Sequence, residues 1–171
     1  AKKMPPAAYF GNAMSYVGDI SGGNSSVREN YMIVTNVFYP ATQKTKDRLE
    51  TKRKITVNQA HGPMLKMVPV LAEKKGDFDV MYDAIGDGAS VLQVSYSAII
   101  FAPTRERANS AATSMASFWK ENRFTVLEDK FVSLPLFLNG LPLCTDRKAV
   151  RHLKRYKTMT SKQAAVLAPI F

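Results

Sequence analysis

The chain of 171 residues contains a single cysteine and only two histidines. Cys144 has no second cysteine with which to form an internal disulfide, so the fold does not depend on oxidation and a reducing compartment is expected. We interpret Cys144 as a small hydrophobic residue near Leu141 and Leu143 rather than as a reactive thiol. Neither His61 nor His152 has a cysteine or an acid beside it at ligand spacing, so the sequence predicts no metal site.

Long hydrophobic runs and catalytic motifs are also missing. No apolar run approaches the roughly 18 to 20 residues that span a bilayer, and no segment with the pattern of a signal peptide opens the chain. The sequence has no phosphate-binding loop ending in Gly-Lys-Ser/Thr, no cysteine pair, no Gly-x-Ser-x-Gly and no His-Glu-x-x-His. Residues 22–26 have the small side chains of a phosphate loop but not its lysine. We therefore predict a soluble chain without catalytic, cofactor-binding or metal-binding residues.

The charge is strongly basic and lies in blocks. The formal net charge is +10; residues 44–75 contain nine Lys or Arg against three acids, and residues 146–162 contain seven against one. Between the blocks, Asp79, Asp83 and Asp87 recur at the helical spacing of four, which we interpret as a solvated helix face rather than as a site for a divalent ion. Basic blocks fit either a nucleic-acid partner or acidic protein surfaces in an assembly, and the pattern leaves both open.

The clearest succession of elements lies in residues 90–130. Residues 90–102 predict a strand, since apolar residues alternate along one face. That core face carries Leu92, Val94, Tyr96, Ala98 and Ile100. The opposite face, which carries Gln93, Ser95 and Ser97, is expected to be only partly covered.

A helix is expected directly after this strand. Pro103 ends the strand, and Thr104 is expected to cap a helix that begins at Arg105. Its apolar residues, at spacings of three and four, predict that it covers the sheet. This stripe consists of Ala108, Ala111, Ala112, Met115, Phe118 and Trp119, and we expect Trp119 to lie in the core. Residues 124–127 predict a short second strand, which would complete a ferredoxin-like strand–helix–strand unit at residues 90–130.

Before residue 90 the sequence predicts one strand and several helices. Residues 29–40 carry β-branched and aromatic residues on both faces, which is typical of a strand that is central or covered on both faces. A long polar helix is expected over residues 42–60. The shared apolar face of residues 64–72 favours a second helical stretch, whereas Pro69 favours a kink or a loop. Asp77 is expected to cap a short helix that Gly86 closes.

After residue 130 the sequence predicts a connection and then a basic helix. Residues 131–143 are apolar but contain two prolines and a glycine, so we expect a buried, extended connection. A helix from Asp146 to about Tyr156 follows. Its outward cations are the candidate interface of the chain: Arg147, Lys148, Arg151, Lys154 and Arg155. A capping box over residues 160–163 predicts one further stretch of helix.

Together these patterns predict an α+β fold in which a mixed or antiparallel sheet is flanked by helices. Residues 1–30 are rich in Gly, Pro and Ser but include several apolar residues, so we expect a docking arm or linker there. Residues 31–143 are predicted to form the α+β domain. Residues 144–171 are predicted to form a basic helical segment that leads to a further domain.

The order of motifs in the C-terminal half resembles one known family. It comprises a strand ending in Phe101-Ala-Pro-Thr, an alanine-rich helix ending in Phe118-Trp119, Arg123-Phe-Thr-Val-Leu-Glu-Asp129, Leu134-Pro-Leu-Phe137, and Arg155-Tyr-Lys-Thr-Met-Thr-Ser-x-x-Ala-Ala165. This order is similar to the region before the motor domain in conjugative type IV secretion ATPases, specifically the TraC type of their VirB-class family. The resemblance covers residues 90–171 well and residues 1–89 in a general way.

The resemblance implies an oligomeric, hexameric assembly ATPase at the cytoplasmic face of the bacterial inner membrane, which powers pilus biogenesis and DNA transfer. The Walker motifs of that family, and with them ATP and Mg, would lie beyond Phe171, so no catalytic residue is carried over to this chain. A chain that begins at Ala1 and ends on Ala-Pro-Ile-Phe171 is expected to be an excised fragment. Its implied partners are its own motor domain, neighbouring subunits and other secretion-system components.

Three functions are weighed for this chain. The first is a non-catalytic interaction domain of a conjugation ATPase, and the second is a basic nucleic-acid-binding domain of ferredoxin-like form. An RNA-recognition sheet needs exposed aromatics on which bases stack, whereas Tyr96 falls on the core face of the best strand. A small enzyme comes third, because the catalytic motifs are missing. The sequence favours the interaction domain.

Overall fold

A computed structural model of the chain describes residues 27–40, 42–60, 68, 70–121, 124–146, 148, 152–165 and 167. These residues form an antiparallel, three-stranded open sheet and five helices, which confirms the predicted α+β class. In chain order the elements are β1 (Asn30–Phe38), α1 (Thr42–Gln59), α2 (Val70–Gly86), β2 (Val91–Phe101), α3 (Arg105–Glu121), α4 (Ser133–Gly140), β3 (Lys157–Thr160) and α5 (Ser161–Ala165).

The strands pair in the order β1-β2-β3. β2 is therefore central and β1 lies at an edge. Of the two expectations for residues 29–40, a central strand or a strand covered on both faces, the central position is wrong. In β1 only Val34 is buried, because an edge strand can leave much of its apolar surface open. β3 was not predicted, because its four residues are too few to show a period, although Met159 and Thr160 are buried.

The chain divides into two compact units. Unit 1 comprises the described parts of residues 1–37, 94–157 and 163–171, and unit 2 those of residues 38–93 and 158–162. The boundaries between the two units fall within β1 and β2, so the predicted domain over residues 31–143 contributes to both units. The predicted domain boundaries themselves stay a prediction. The predicted arm over residues 1–30 lies almost entirely outside the described residues, as do the loop at 22–26, His61 and most of the helical stretch at 64–72.

Unit 1 has an aromatic core under α3. Trp119 is 5% exposed and lies 5.4 Å from Tyr96 between ring centroids, which confirms the predicted core position. Phe124 contributes a third ring, 6.3 Å from Tyr96. The predicted cap is also present, since the Arg107 backbone N–H donates to Thr104 Oγ1 at 3.3 Å. The cap thus predicted the start of α3, and periodicity predicted the three residues that it buries, Ala111, Met115 and Trp119, while the rest of the predicted stripe is partly exposed.

The segment after α3 differs from its prediction. Residues 124–127 form only an isolated bridge at Thr125, so the ferredoxin-like unit lacks its second strand. Phe124 instead packs on Tyr96, and its backbone N–H donates to the Trp119 carbonyl at 2.8 Å. Ser95 is only 3% exposed, so the face of β2 that was expected to be open is covered at this point.

Residues 131–143 form α4 and its flanks rather than a buried, extended connection. Pro135 is the third residue of α4, within the first turn, where a helix needs no N–H donor, so the proline is compatible with the helix. Several apolar side chains of this stretch are exposed, Phe131 and Leu143 completely. Cys144 is exposed as well, so it does not pack as a hydrophobic neighbour of Leu141 and Leu143.

Unit 2 contains the pair of helices α1 and α2. The predicted helix over residues 42–60 is confirmed, but Asp77 lies inside α2 instead of capping it. One glycine within α2 costs only about 1 kcal/mol relative to alanine, so Gly76 does not separate two helices. The predicted end at Gly86 is confirmed, and Gly88 follows with a φ of 86° that a residue with a side chain rarely adopts.

The basic helix ends earlier than predicted. Lys148 and residues 152–153 are helical, but Lys154 has a φ of 53° and residues 154–156 are not helical. A left-handed backbone at Lys154 stops the helix and turns the chain toward β3. The capping-box stretch is confirmed as α5, which begins at Ser161.

Candidate functional site

Arg155 is the predicted interface residue whose contacts are clearest. Its guanidinium binds the Asp129 carboxylate through two hydrogen bonds, Nε to Oδ2 at 3.0 Å and Nη2 to Oδ1 at 2.5 Å, and Nη1 donates to the Leu153 carbonyl at 3.2 Å. The hydrogen bond to Asp129 raises the pKa of Arg155. Arg155 therefore ties the chain after the basic helix to the segment after α3.

Two of the other four predicted interface residues are described by the structure. Lys148 and Lys154 are exposed, and the side chain of Lys154 follows a backbone in the left-handed region. Arg147 and Arg151 lie outside the described residues. The structure thus supports a structural contact for one of the five cations and solvent exposure for two.

A groove of about 660 Å³ opens in unit 1 between β2, α3, residues 126–129 and α4. Its α3 wall carries Ala108, Ala112 and Ala116 at spacings of four, together with Met115 and Trp119. Its α4 wall carries Leu134, Leu136 and Phe137. The lining is mainly apolar, and Arg155 and Asp129 lie at its polar part. This groove was not predicted, because Ala108 and Ala112 were assigned to the sheet-facing stripe and Ala116 to neither surface.

Trp119 lines the groove and carries a buried donor without a partner among the described residues. Within the part of the chain that the structure describes, the indole Nε1–H has no hydrogen-bond acceptor, although the residue is buried. Buried donors are rarely left without an acceptor in native proteins. The indole nitrogen itself is buried, so this donor belongs to the core under α3 and is not offered to the groove.

A second apolar surface lies outside the groove, on α4 and its flanks. We call it the outer apolar surface; it consists of Phe131, Leu138 and Leu143, none of which lines the groove. Phe131 is 99% exposed and Leu143 fully exposed, and Leu138 is about half exposed. Isolated exposed apolar residues are ordinary, but three within thirteen residues of one segment are typical of a contact surface.

A polar network fixes α4 in unit 1. Asn139 is buried and its Nδ2 donates to the Tyr156 hydroxyl at 3.1 Å. Its backbone carbonyl accepts from Asn36 Nδ2 at 2.9 Å and from the Thr145 hydroxyl at 3.3 Å. Gly140 follows, and a Cβ there would lie 3.4 Å from Val34 and Ile99, so the backbone approaches β1 and β2 closely. α4 is thus held firmly, although its outer side is open.

The described residues contain no cluster of three His, Cys, Asp or Glu side chains that could hold a metal ion. Of the acids considered in the sequence, Asp79 binds Arg53 at 3.4 Å and Asp87 binds Lys162 at 3.1 Å. Both pairs are exposed to solvent, as expected for a solvated face. Across the described ranges, no helix combines the length and apolar character needed to cross a membrane.

Comparison with known proteins gives one family. Residues 1–145 of the chain match the family model described as TraC protein. The motifs between residues 101 and 137 lie inside this range, whereas the Arg155–Ala165 stretch lies outside it. No curated protein and no solved structure matches the chain.

Proposed function

Since the chain belongs to the TraC family of conjugative transfer proteins, we propose that it is a non-catalytic assembly domain of a conjugative type IV secretion ATPase. In this proposal the chain takes part in pilus assembly and DNA transfer at the cytoplasmic face of the bacterial inner membrane. ATP and Mg would be bound by a motor domain that follows it in the parent protein. The chain itself would contribute contacts to neighbouring subunits, to that motor domain and to other secretion-system components.

The observation that supports an assembly role is the outer apolar surface. Leu138 projects from α4, and Phe131 and Leu143 flank that helix within three residues of its ends. The Asn139 network holds α4 in place, so the surface needs little ordering when a partner binds. Exposed aromatic and aliphatic residues on a rigid element are typical anchors of protein interfaces. We propose a neighbouring copy of the same protein as the partner at this surface, in an oligomer.

The proposal is tested by Phe131→Ser combined with Leu143→Ser in the full-length protein of a donor cell. Both side chains are exposed in the folded chain, so the double substitution should leave stability within about 0.5 kcal/mol. DNA transfer and pilus assembly should fall sharply. Tyr39→Ser is the matched control, because Tyr39 is also an exposed aromatic outside any helix, but lies in unit 2. Normal transfer by the double variant would refute the assembly role of this surface.

The non-catalytic part of the proposal has its own test. Calorimetric titration of ATP and Mg into the 171-residue chain should give no binding, because neither the nest of backbone N–H groups nor the lysine of a phosphate loop occurs in the sequence. Micromolar ATP binding by this chain would contradict it.

A nucleic-acid-binding domain is the second candidate, and α1 favours it. Lys44, Arg48 and Lys52 recur along α1 at spacings of four, and all three are exposed.

Reversing charges in the other basic segment, residues 146–162, separates the assembly function from the nucleic-acid function. Arg151→Glu with Lys154→Glu should impair oligomer formation or ATP hydrolysis of the full-length protein if the basic segment serves assembly. A loss confined to single-stranded DNA binding would instead favour the nucleic-acid function.

A further inference from the structure

The exposed side of α1 in unit 2 is basic. Lys44, Arg48 and Lys52 are all exposed and lie four residues apart, so they follow one side of the helix over about 12 Å. Ile55 lies on the same side and is 52% exposed. We call this surface the basic face of α1; it consists of these four residues.

The cations of the basic face have no acidic partner within the described residues. The acids of α1 are engaged inside the helix, since Asp47 Oδ1 accepts from Gln43 Nε2 at 3.1 Å and Glu50 pairs with Lys54 at 3.1 Å. The ion pairs found in the described ranges include none of the three cations. A row of like charges is often merely solvated, so a partner has to be identified from a complementary surface.

The exposed side of α2 supplies such a surface. Asp77 and Asp83 are exposed, lie about 9 Å apart along the helix and flank Val80, which is 61% exposed. Asp87 follows just after α2 and is held by Lys162 at 3.1 Å in an exposed pair. We call Asp77, Val80 and Asp83 the acidic face of α2. Both faces thus place charges of one sign around an exposed aliphatic side chain.

The two faces do not meet within one copy, because α1 and α2 pack through other sides. Arg53 binds Asp79 at 3.4 Å and lies 4.4 Å above the Tyr82 ring. Arg53 is nine residues, or two and a half turns, after Lys44 and therefore lies on the opposite side of α1. Tyr82 is two residues from Val80, which places it about 160° around α2. Both faces consequently lie on the outer surface of the helix pair.

We propose that the basic face of α1 docks on the acidic face of α2 in a neighbouring copy of the chain. This contact rests on the proposed function, in which copies of the chain assemble, and adds a second surface to that assembly. Because two different surfaces meet, the contact is heterologous, so successive copies build a ring or a filament. Exposed ion pairs contribute little affinity each, and the faces mainly select the orientation in which neighbours join.

A neighbouring copy accounts for both faces, whereas a nucleic acid accounts for one. The phosphates of single-stranded DNA would be attracted to the cations of α1 but would gain nothing from Asp77 and Asp83. Complementary charge on two helices of the same chain is what a contact between copies requires.

Exchanging charges between the faces tests the proposal by sedimentation velocity of the full-length protein over a range of concentrations. Lys44→Glu with Arg48→Glu should raise the dissociation constant of the oligomer about tenfold or more, because the reversed charges then face like charges. Asp77→Lys with Asp83→Lys should have the same effect. All four substitutions in one chain should restore the unmodified dissociation constant, since opposite charges meet again. The four changes cancel in net charge, and a protein that had lost its fold would not be rescued by further substitutions.

Arg105→Glu with Lys120→Glu is the matched control. It reverses two exposed cations of α3, in unit 1, and therefore changes the net charge as much as the α1 double variant does without touching either face. The dissociation constant should stay that of the unmodified protein. A rise equal to that of the α1 double variant would show a general effect of net charge and overturn the proposal.

Two further results would contradict docking between copies. A fourfold variant that associates as weakly as the double variants would show that the faces do not meet. An unchanged oligomer in the α1 double variant, with weaker binding of a fluorescein-labelled oligothymidylate by fluorescence anisotropy, would assign the basic face to nucleic acid. If the charge variants keep the oligomer while Phe131→Ser/Leu143→Ser loses it, this contact is refuted and the assembly role of the outer apolar surface stands.

Discussion

Unit 1 and unit 2 differ in the kind of internal contact that stabilises each of them. In unit 1, α3 places Trp119 against Tyr96 and Phe124, three large side chains that are almost completely buried. In unit 2, α1 buries Leu49 but leaves Ile55 about half exposed, and Arg53 bridges to α2 through Asp79 and the Tyr82 ring. Apolar burial contributes more to stability than half-exposed ion pairs do. Unit 1 should therefore carry most of the stability.

The largest expected effect is that of Trp119→Ala. Emptying a large aromatic site in a core costs about 3 to 5 kcal/mol, since the contacts with Tyr96 are lost and the space is only partly refilled. Chemical denaturation monitored by circular dichroism measures the change in the free energy of unfolding. A loss below about 1 kcal/mol would contradict the core position of Trp119 and the difference between the units that depends on it.

Arg155→Ala should have the next largest effect, about 1 to 3 kcal/mol, because it leaves the partly buried Asp129 carboxylate without its two charged hydrogen bonds. Arg155→Lys should recover only part of this loss, since an ammonium cannot bind both carboxylate oxygens in the fork geometry. Full recovery by lysine, in the same denaturation experiment, would show that only the charge matters.

Tyr96 makes the contribution of unit 1 to the free energy of unfolding dependent on pH. Burial, with a smaller contribution from Tyr31, raises the pKa of Tyr96 well above its ordinary value of 10. The unfolded chain therefore releases this proton first, so the free energy of unfolding is unaffected by Tyr96 below about pH 10 and falls as pH rises from there toward the folded-state pKa. Tyr96→Phe should make this alkaline decline shallower by up to about 1.4 kcal/mol per pH unit.

Tyr82 provides the matched control for this measurement in unit 2. Burial also raises its pKa, with Glu50 acting in the same direction, but Arg53 and Lys54 oppose the shift. Tyr82→Phe should therefore change the alkaline decline less than Tyr96→Phe does. An equal change in the two variants would mean that the two units bury their tyrosines alike.

Arg53→Gln should have the smallest effect, below about 1 kcal/mol, because the Arg53–Asp79 pair and the stacking on Tyr82 are both half exposed to solvent. The loss should shrink further at high salt as the ion pair is screened. Denaturation at low and at high salt measures both. A salt-independent loss as large as that of Trp119→Ala would show that the packing of α1 on α2 depends on Arg53 itself.

The sequence predicted those parts of the fold in which the spacing of apolar residues and the helix-capping residues indicate the same element. The stripe of α3, its Thr104 cap and the buried Tyr96 all followed from spacing, because one apolar face had to cover the sheet. The helix α4 was missed because Pro135 indicates a break unless its position within the first turn is known. β3 was missed because its pairing with β2 depends on residues distant in sequence.

The candidate site was less predictable than the fold. The five basic residues were chosen by charge alone, yet Arg155 is bound to Asp129, a partner 26 positions away that charge spacing does not reveal. Phe131 and Leu143 were assigned to a buried connection because they are apolar, and only the three-dimensional position of α4 shows that they face solvent. Exposure, unlike periodicity, depends on every neighbouring element.

The most direct test of the assembly role is sedimentation velocity of the full-length protein over a range of concentrations. The unmodified protein and the Tyr39→Ser control should sediment as the same oligomer. The Phe131→Ser/Leu143→Ser protein should sediment as a smaller species at equal concentration, with an unchanged unfolding midpoint, because only the outer apolar surface has been altered. An oligomer of the same size and concentration dependence in the double variant would contradict the claim that this surface joins neighbouring copies.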